Sequence, residues 1–368
     1  MKEGWKMVKL KNICDKASSN VAQKDLDNNN GEYPIYGASG FIKKVDFFHY
    51  DKPYIGIVKD GSGVGRVNIY PANSSLLGTL QYIFPKNGYE LGFIYYALQS
   101  LNLSKYKVGA AIPHIYFRDY GEKELFVPPL EEQHRIVSIL DASFEKIDAL
   151  KKNAEENLKN AKALFQQVLA QELKPKEGWV ETKMETICTL CQGLAINAQT
   201  KHLIVEKSNL PLLRIKDLKD GTREIFINED NCPESCKVYS NDIIYTRTGT
   251  LGLIFTGVNG VMHNNCFKII LDQKMVDKHY VMYYLHSTSF KERVIAMAQR
   301  AAQPDITHKI FKAQYICFPS IETQHRIVAT LDTLSEKCRR LEQVAQQTIR
   351  ECDALKQSIL RQAFSGEL

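Results

Sequence analysis

The sequence predicts an α+β protein: two similar α/β domains separated by two long antiparallel helices that form a coiled coil, related as a pseudo-two-fold internal repeat. Three observations carry this. Motifs recur in the same order in both halves, two long segments keep one heptad register, and the segments between them carry short β-type runs broken by Gly and Asn. Lys2-Glu3-Gly4-Trp5 returns as Lys176-Glu177-Gly178-Trp179, and Ile13-Cys14 as Ile187-Cys188, both 174 residues on. Gln133-His134-Arg135-Ile136-Val137 returns as Gln324-His325-Arg326-Ile327-Val328, now 191 residues on. Ala110-Ala111 with Pro113 returns at that same offset as Ala301-Ala302 with Pro304. Such self-similarity marks a duplicated architecture. The two offsets make the second copy 17 residues longer, within its variable part.

Residues 1–128 are read as the first domain, in which Tyr54-Ile55-Gly56-Ile57-Val58 has strand composition and residues 91–98 form a short helix. Residues 129–173 are the first spacer helix. Its heptads put Ile136, Ser143, Leu150, Asn157 and Leu164 at position a, and Leu140, Ile147, Ala154, Ala161 and Val168 at d. Residues 174–318 repeat the domain, with Asp242-Ile243-Ile244-Tyr245 as a strand and residues 280–285 as a helix. Residues 319–368 are the second spacer helix, with Ile327, Leu334, Leu341, Thr348 and Leu355 at a and Leu331, Cys338, Ala345, Cys352 and Ile359 at d. One register held over five heptads, twice, argues for coiled-coil packing. Pro128-Pro129 and Pro319-Ser320 mark the helix starts. Small residues at successive d layers let the helices approach closely, and the chain's last residues are expected near its own N-terminus.

The composition is that of a soluble globular chain: 368 residues, 44% hydrophobic and 24% charged. There is no apolar run of about 18 residues for a membrane span and no secretory signal at the start. Nine cysteines in a chain this long are read as reduced thiols, hence a cytoplasmic protein. The net charge of +6 is compatible with a polyanionic partner without being a strong basic signature. Two unlike domains on a rigid spacer match duplex DNA, which presents half-sites on one face at about 34–36 Å.

The residues also carry a resemblance. Gly109-Ala110-Ala111-Ile112-Pro113-His114-Ile115, then Val127-Pro128-Pro129-Leu130-Glu131-Glu132-Gln133-His134-Arg135-Ile136, are similar to the specificity subunit of Type I restriction–modification systems. Tyr33-Pro34-Ile35-Tyr36-Gly37-Ala38-Ser39-Gly40 resembles a phrase of the target-recognition domains in that family, and Phe318-Pro319-Ser320-Ile321-Glu322-Thr323-Gln324 keeps the outline of the helix start. The resemblance implies that each recognition domain reads half of a bipartite site in double-stranded DNA. It implies that the helices dock two methyltransferase subunits, which methylate adenine N6 on an extruded base, and that restriction (nuclease/translocase) subunits join. S-adenosylmethionine, ATP and Mg are then expected in the partners, with no cofactor and no catalysis in this chain. The alternatives are the specificity subunit of another restriction class and a coiled-coil scaffold whose end domains bind proteins.

The chain's own motifs are consistent with no catalysis. No Gly-x-x-x-x-Gly-Lys-Ser/Thr loop and no Asn-Pro-Pro-Tyr or Asp-Pro-Pro-Tyr sequence occurs. Asp60-Gly61-Ser62-Gly63-Val64-Gly65 mimics a cofactor loop, but the following Arg66-Val67-Asn68-Ile69-Tyr70 reads as a strand rather than the required helix. Read instead as a hairpin, it has a counterpart 187 residues on, Arg247-Thr248-Gly249-Thr250-Leu251-Gly252. Lys59, Ser62 and Arg66 in one turn, and Thr246, Arg247, Thr248 and Thr250 in the other, are candidate DNA contacts. Lys105, Lys107 and Arg300 form a second set. Lys43, Lys44, Arg214, Lys216, Asn264 and Asn265 form a third. On the helices, Gln133, Ile136, Leu140, Ile147, Leu150, Gln324, Ile327, Leu331, Leu341 and Leu355 are the candidate spacer and docking residues. Cys188, Cys191, Cys232 and Cys236 have ligand-like spacings, but the 40-residue gap between the pairs weighs against zinc, and no metal is expected.

Overall fold

The run Tyr54–Val58, apolar on both faces, becomes an inner strand of a four-stranded antiparallel sheet, in the order Cys14–Ser18, Leu80–Pro85, Tyr54–Val58, Val67–Tyr70. All five of its residues are buried, as a strand covered on both faces requires. The computed structural model describes residues 4–109, 112–299 and 303–368. The described residues of 1–156 pack with 345–368 as one compact unit, and those of 157–344 as another.

The second unit repeats the plan: Cys188–Gln192, Cys266–Leu271, Ile243–Thr246 and Ile254–Phe255 form its four-stranded sheet. Each unit adds a three-stranded sheet containing one parallel pair, Ile35 with Ser75 in the first and Leu212 with Val261 in the second. Each also closes its start against its end by a two-stranded ribbon, Lys6–Lys9 with Glu124–Val127 and Val180–Lys183 with Tyr315–Phe318. In the longer copy, helix Ile215–Asp220 and the ribbon of Ile204–Val205 with Phe226–Ile227 are additions without a counterpart among the described residues of the first.

The long helices span Leu130–Glu172 and Ile321–Ser365. Glu131, Glu132 and Glu322 lie in their first turns, where the helix dipole favours anions. In the first unit the two chains of helix run antiparallel: Lys151 pairs with Asp353 at 2.6 Å and Lys356 with Asp148 at 2.5 Å, in opposing order. Such exposed pairs contribute at most about 1 kcal/mol each. Apolar burial contributes more. Ile136, Leu140 and Ile147 join Phe93, Ile94, Cys352 and Leu360 in the first core. Leu169, Ile327 and Leu331 join Ile187, Phe267 and Tyr280 in the second.

The heptad expectation needs correction at position a. Position d forms most of the buried spine, including Ala154, Ala161, Cys338, Ala345 and Cys352, while Val168 and Ile359 are only half-buried. Leu150, Leu341 and Leu355, all at a, are 53%, 56% and 49% exposed. Small d residues give a narrow seam, so one edge of each helix stays outside it. Ile136 and Ile327, also at a, are buried within the apolar cores of the two units.

Candidate nucleic-acid interface

In the first unit the glycine hairpin sits where three segments meet. Lys59 and Asp60 donate backbone N–H groups to Thr79 O, and Gly61 N–H donates to Pro113 O at 2.9 Å. Ile115 N–H returns to Lys59 O at 3.0 Å. Gly61 and Gly65 have φ of +88° and +92°, which only glycine adopts cheaply. A Cβ at Gly65 would also meet Ser104 N at 2.8 Å, so the turn lies flat on the segment carrying Lys105 and Lys107. Lys59 is half-buried, whereas Ser62, Arg66, Lys105 and Lys107 are exposed. Arg66 curls back so that its Nε donates to Gly63 O at 3.3 Å. The fold therefore brings these five predicted residues to one side of the domain.

Several exposed neighbours lie outside the predicted contact sets. Arg118 lies over the Tyr116 ring at 4.6 Å, and Tyr116 packs on His114, which pairs with Asp60. Ile112 is 72% exposed and Phe41 60%. Phe41 borders a groove of about 800 Å³ that Asn20, Gln23, Ser39 and Thr79 also line. Of the neighbouring lysines, Lys43 is turned inward, its Nζ donating to Leu26 O at 2.9 Å, while Lys44 is exposed. Only the fold gathers these residues, since they lie on separate segments of the sequence.

The second hairpin is built on the same backbone bonds: Arg247 N–H donates to Asn265 O and Ile306 N–H to Arg247 O, both at 2.9 Å. These bonds make Arg247 the structural equivalent of Lys59, one step from the register read in the sequence, because the second turn is one residue shorter. Its side chains are more committed. The Arg247 guanidinium is bidentate on Asp305, Nε at 2.8 Å, and its Nη1 donates to Gln192 Oε1 at 2.9 Å. Thr248 is half-buried, and exposed Thr250 accepts from Lys219 Nζ at 3.2 Å. Asn264 and Asn265 are half-buried at the same turn.

Three expectations change here. Thr246 is fully buried and braces the turn, its hydroxyl donating to Thr250 O at 2.5 Å and accepting from Leu253 N–H at 2.8 Å; it is no surface contact. Arg214 is ion-paired with buried Asp217 at 2.7 Å and with Glu224 at 2.6 Å. Lys216 is paired with Glu224 at 2.8 Å, so both cations are already neutralised. Arg300 lies outside the described residues.

Cys188 faces the main core of its unit, its thiol bonded to Met184 O and pushed up to about 11 by burial. Cys232 and Cys236 belong to a different apolar cluster. Among the described residues no group of three or more side chains is arranged to hold a metal ion, and no helix is long and apolar enough to cross a membrane. At the helix starts, Gln133 and Gln324 are not surface residues: they are 1% and 0% exposed.

Comparison with known proteins agrees with this duplicated plan. The model of the family described as Type I restriction modification DNA specificity domain matches residues 2–160 and again residues 176–351. The Type I restriction enzyme EcoBI specificity subunit of Escherichia coli is 25% identical over 320 residues, covering 76% of this chain. This chain spans only 66% of that relative's length. A chain from a solved structure on complex assembly and conformational transition of the type I R-M system superposes with a TM-score of 0.76 at 19% identity, over 100% of this chain and 99% of that one. The HsdS subunit from Thermoanaerobacter tengcongensis superposes with a TM-score of 0.56 at 18% identity, over 100% and 98%. At these identities the structural likeness speaks for the fold.

Proposed function

Because this chain belongs to the Type I restriction modification DNA specificity family, we propose that it is the non-catalytic subunit that reads a bipartite DNA site and positions methyltransferase subunits for adenine N6 methylation. Restriction subunits join the same complex, and S-adenosylmethionine, ATP and Mg are held by those partners. The observation that carries the reading is the doubled specificity domain, each copy pairing a pinned glycine hairpin with the start of a long helix. Lys59, Ser62, Arg66, Lys105 and Lys107 supply phosphate and base-edge donors in one copy. Arg247, Thr248, Thr250, Asn264 and Asn265 supply them in the other. Leu150, Leu341 and Leu355 offer apolar surface to the methyltransferases.

The test is a genome-wide methylation map of a host expressing the chain with a methyltransferase partner. A split motif carrying N6-methyladenine, absent without the chain, is the expected result. A short continuous motif, or methylation without the chain, overturns the reading. Salt separates it from the scaffold alternative, since a complex making 6–10 phosphate contacts loses about 10³–10⁵ in affinity between 50 and 200 mM salt.

A further inference from the structure

We infer that two hydrogen-bonded ties, one on a buried glutamine and one on a tyrosine, present in both copies, are positioning elements that fix each recognition domain on its own long helix and thereby set the half-site spacing the chain accepts. The inference rests on the specificity reading above.

The first tie is a glutamine. Gln133 Oε1 accepts the Glu90 backbone N–H at 2.9 Å, and its Nε2 donates to Pro128 O at 2.9 Å. Glu90 in turn caps the domain helix Leu91–Ser100, its carboxylate accepting from Phe93 N–H at 2.5 Å. The second copy has the same arrangement. Gln324 accepts from Asp277 N–H at 2.7 Å and donates to Pro319 O and Met275 O at 2.9 and 3.1 Å. Asp277 caps Lys278–His286 through Tyr280 N–H at 2.9 Å.

The second tie is a tyrosine. Tyr96 OH donates to Asp141 Oδ1 at 2.5 Å, and Tyr283 OH to Asp332 Oδ1 at 2.6 Å. Burial first, then the facing carboxylate, pushes both phenols well above their ordinary range, so each remains a donor.

The spacing of the ties is the same in both copies. They lie six residues apart on the domain helix and eight apart on the long helix, while the domain helices between them differ: Leu91-Gly92-Phe93-Ile94-Tyr95 against Lys278-His279-Tyr280-Val281-Met282. Apolar residues of the same shape would hold the interface with nearly the same stability, because a net buried hydrogen bond contributes little. Directional bonds at two levels of the helix do something packing alone does not: they exclude both sliding and rotation of the domain on the helix. A reader fixed in angle presents its half-site at one distance from the other.

The experiment repeats the methylation map with Gln133→Met combined with Tyr96→Phe, a pair that keeps side-chain volume and removes three hydrogen bonds. The expected result is unchanged half-site sequences, with methylation appearing at spacers one base pair longer or shorter. Preference for the parental spacer falls by roughly tenfold. Tyr96→Phe alone, which removes one oxygen, shifts the preference in the same direction by less and guards against a double variant that fails to fold. Asp141→Asn retains an oxygen to accept from Tyr96 and keeps parental selectivity. A lowered melting temperature with unchanged spacer preference overturns the proposal, because the ties then only stabilise. Altered half-site sequences overturn it as well, because the residues then act in reading. A parent chain that yields no split motif brings down the specificity reading itself, and the inference with it, before any variant is compared.

Discussion

Asp217 illustrates how a side chain in a reading domain can serve structure instead. Burial alone would raise its pKa, but hydrogen bonds from Arg214, Thr222 and the Arg214 backbone N–H override this and hold it at about 2. Its folded value is depressed, so its contribution is present above the ordinary carboxylate value of 3.8 and is lost as pH falls toward 2. Asp217→Asn should therefore be less stable at pH 7 by about 2 kcal/mol. It should also show a flatter fall in stability between pH 4 and 2, as read by urea midpoints across that range; parallel curves for parent and variant would refute the account. Arg247 carries the reading prediction. Its guanidinium is aimed by Asp305, so Arg247→Ala and Asp305→Ala should both weaken recognition of one half-site by about tenfold to a hundredfold and leave the other unchanged. Binding to duplexes altered in one half at a time measures this. A gain in affinity for Asp305→Ala would mean that the carboxylate masks the arginine instead of aiming it.

Among the elements, the long helices divide their apolar residues between two tasks. Ala154 is buried at d, and Ala154→Leu should cost about 1–3 kcal/mol through overpacking. Leu150 and Leu341 are more than half exposed, so Leu150→Ser and Leu341→Ser should change stability by less than about 0.5 kcal/mol. The same two variants should retain less methyltransferase when the complex is purified through this chain. Melting curves beside the yield of copurified partner give both readings; full retention would remove these leucines from the docking surface. The heptad register was legible because a period of seven is written in consecutive residues. Which of its two apolar positions faces inward was not, because that depends on how closely the d residues let the second helix approach.

For the whole molecule, the proposed reading of a bipartite site makes the long helices the element that sets the spacer between half-sites. Inserting seven residues at matched points of both helices adds about 10.5 Å to each, close to three base pairs of duplex. The tolerated spacer should lengthen accordingly in a methylation map, and an unchanged spacer would show that the helices do not set it. The sequence by itself determined the repeat, the two long helices, the glycine hairpins and the glutamine at each helix start, because each is a local pattern of residue types along the chain. The bases read are not legible in it, since base readout depends on loop shape against a groove and on the deformability of the DNA. Tertiary structure alone decided which polar and charged groups remain available. It buried Thr246, set Asp305 against Arg247 across 58 residues of chain, and paired Arg214 and Lys216 with Asp217 and Glu224. The physical reason is that a charge's partner is chosen by proximity in space, which residue spacing along the chain does not encode.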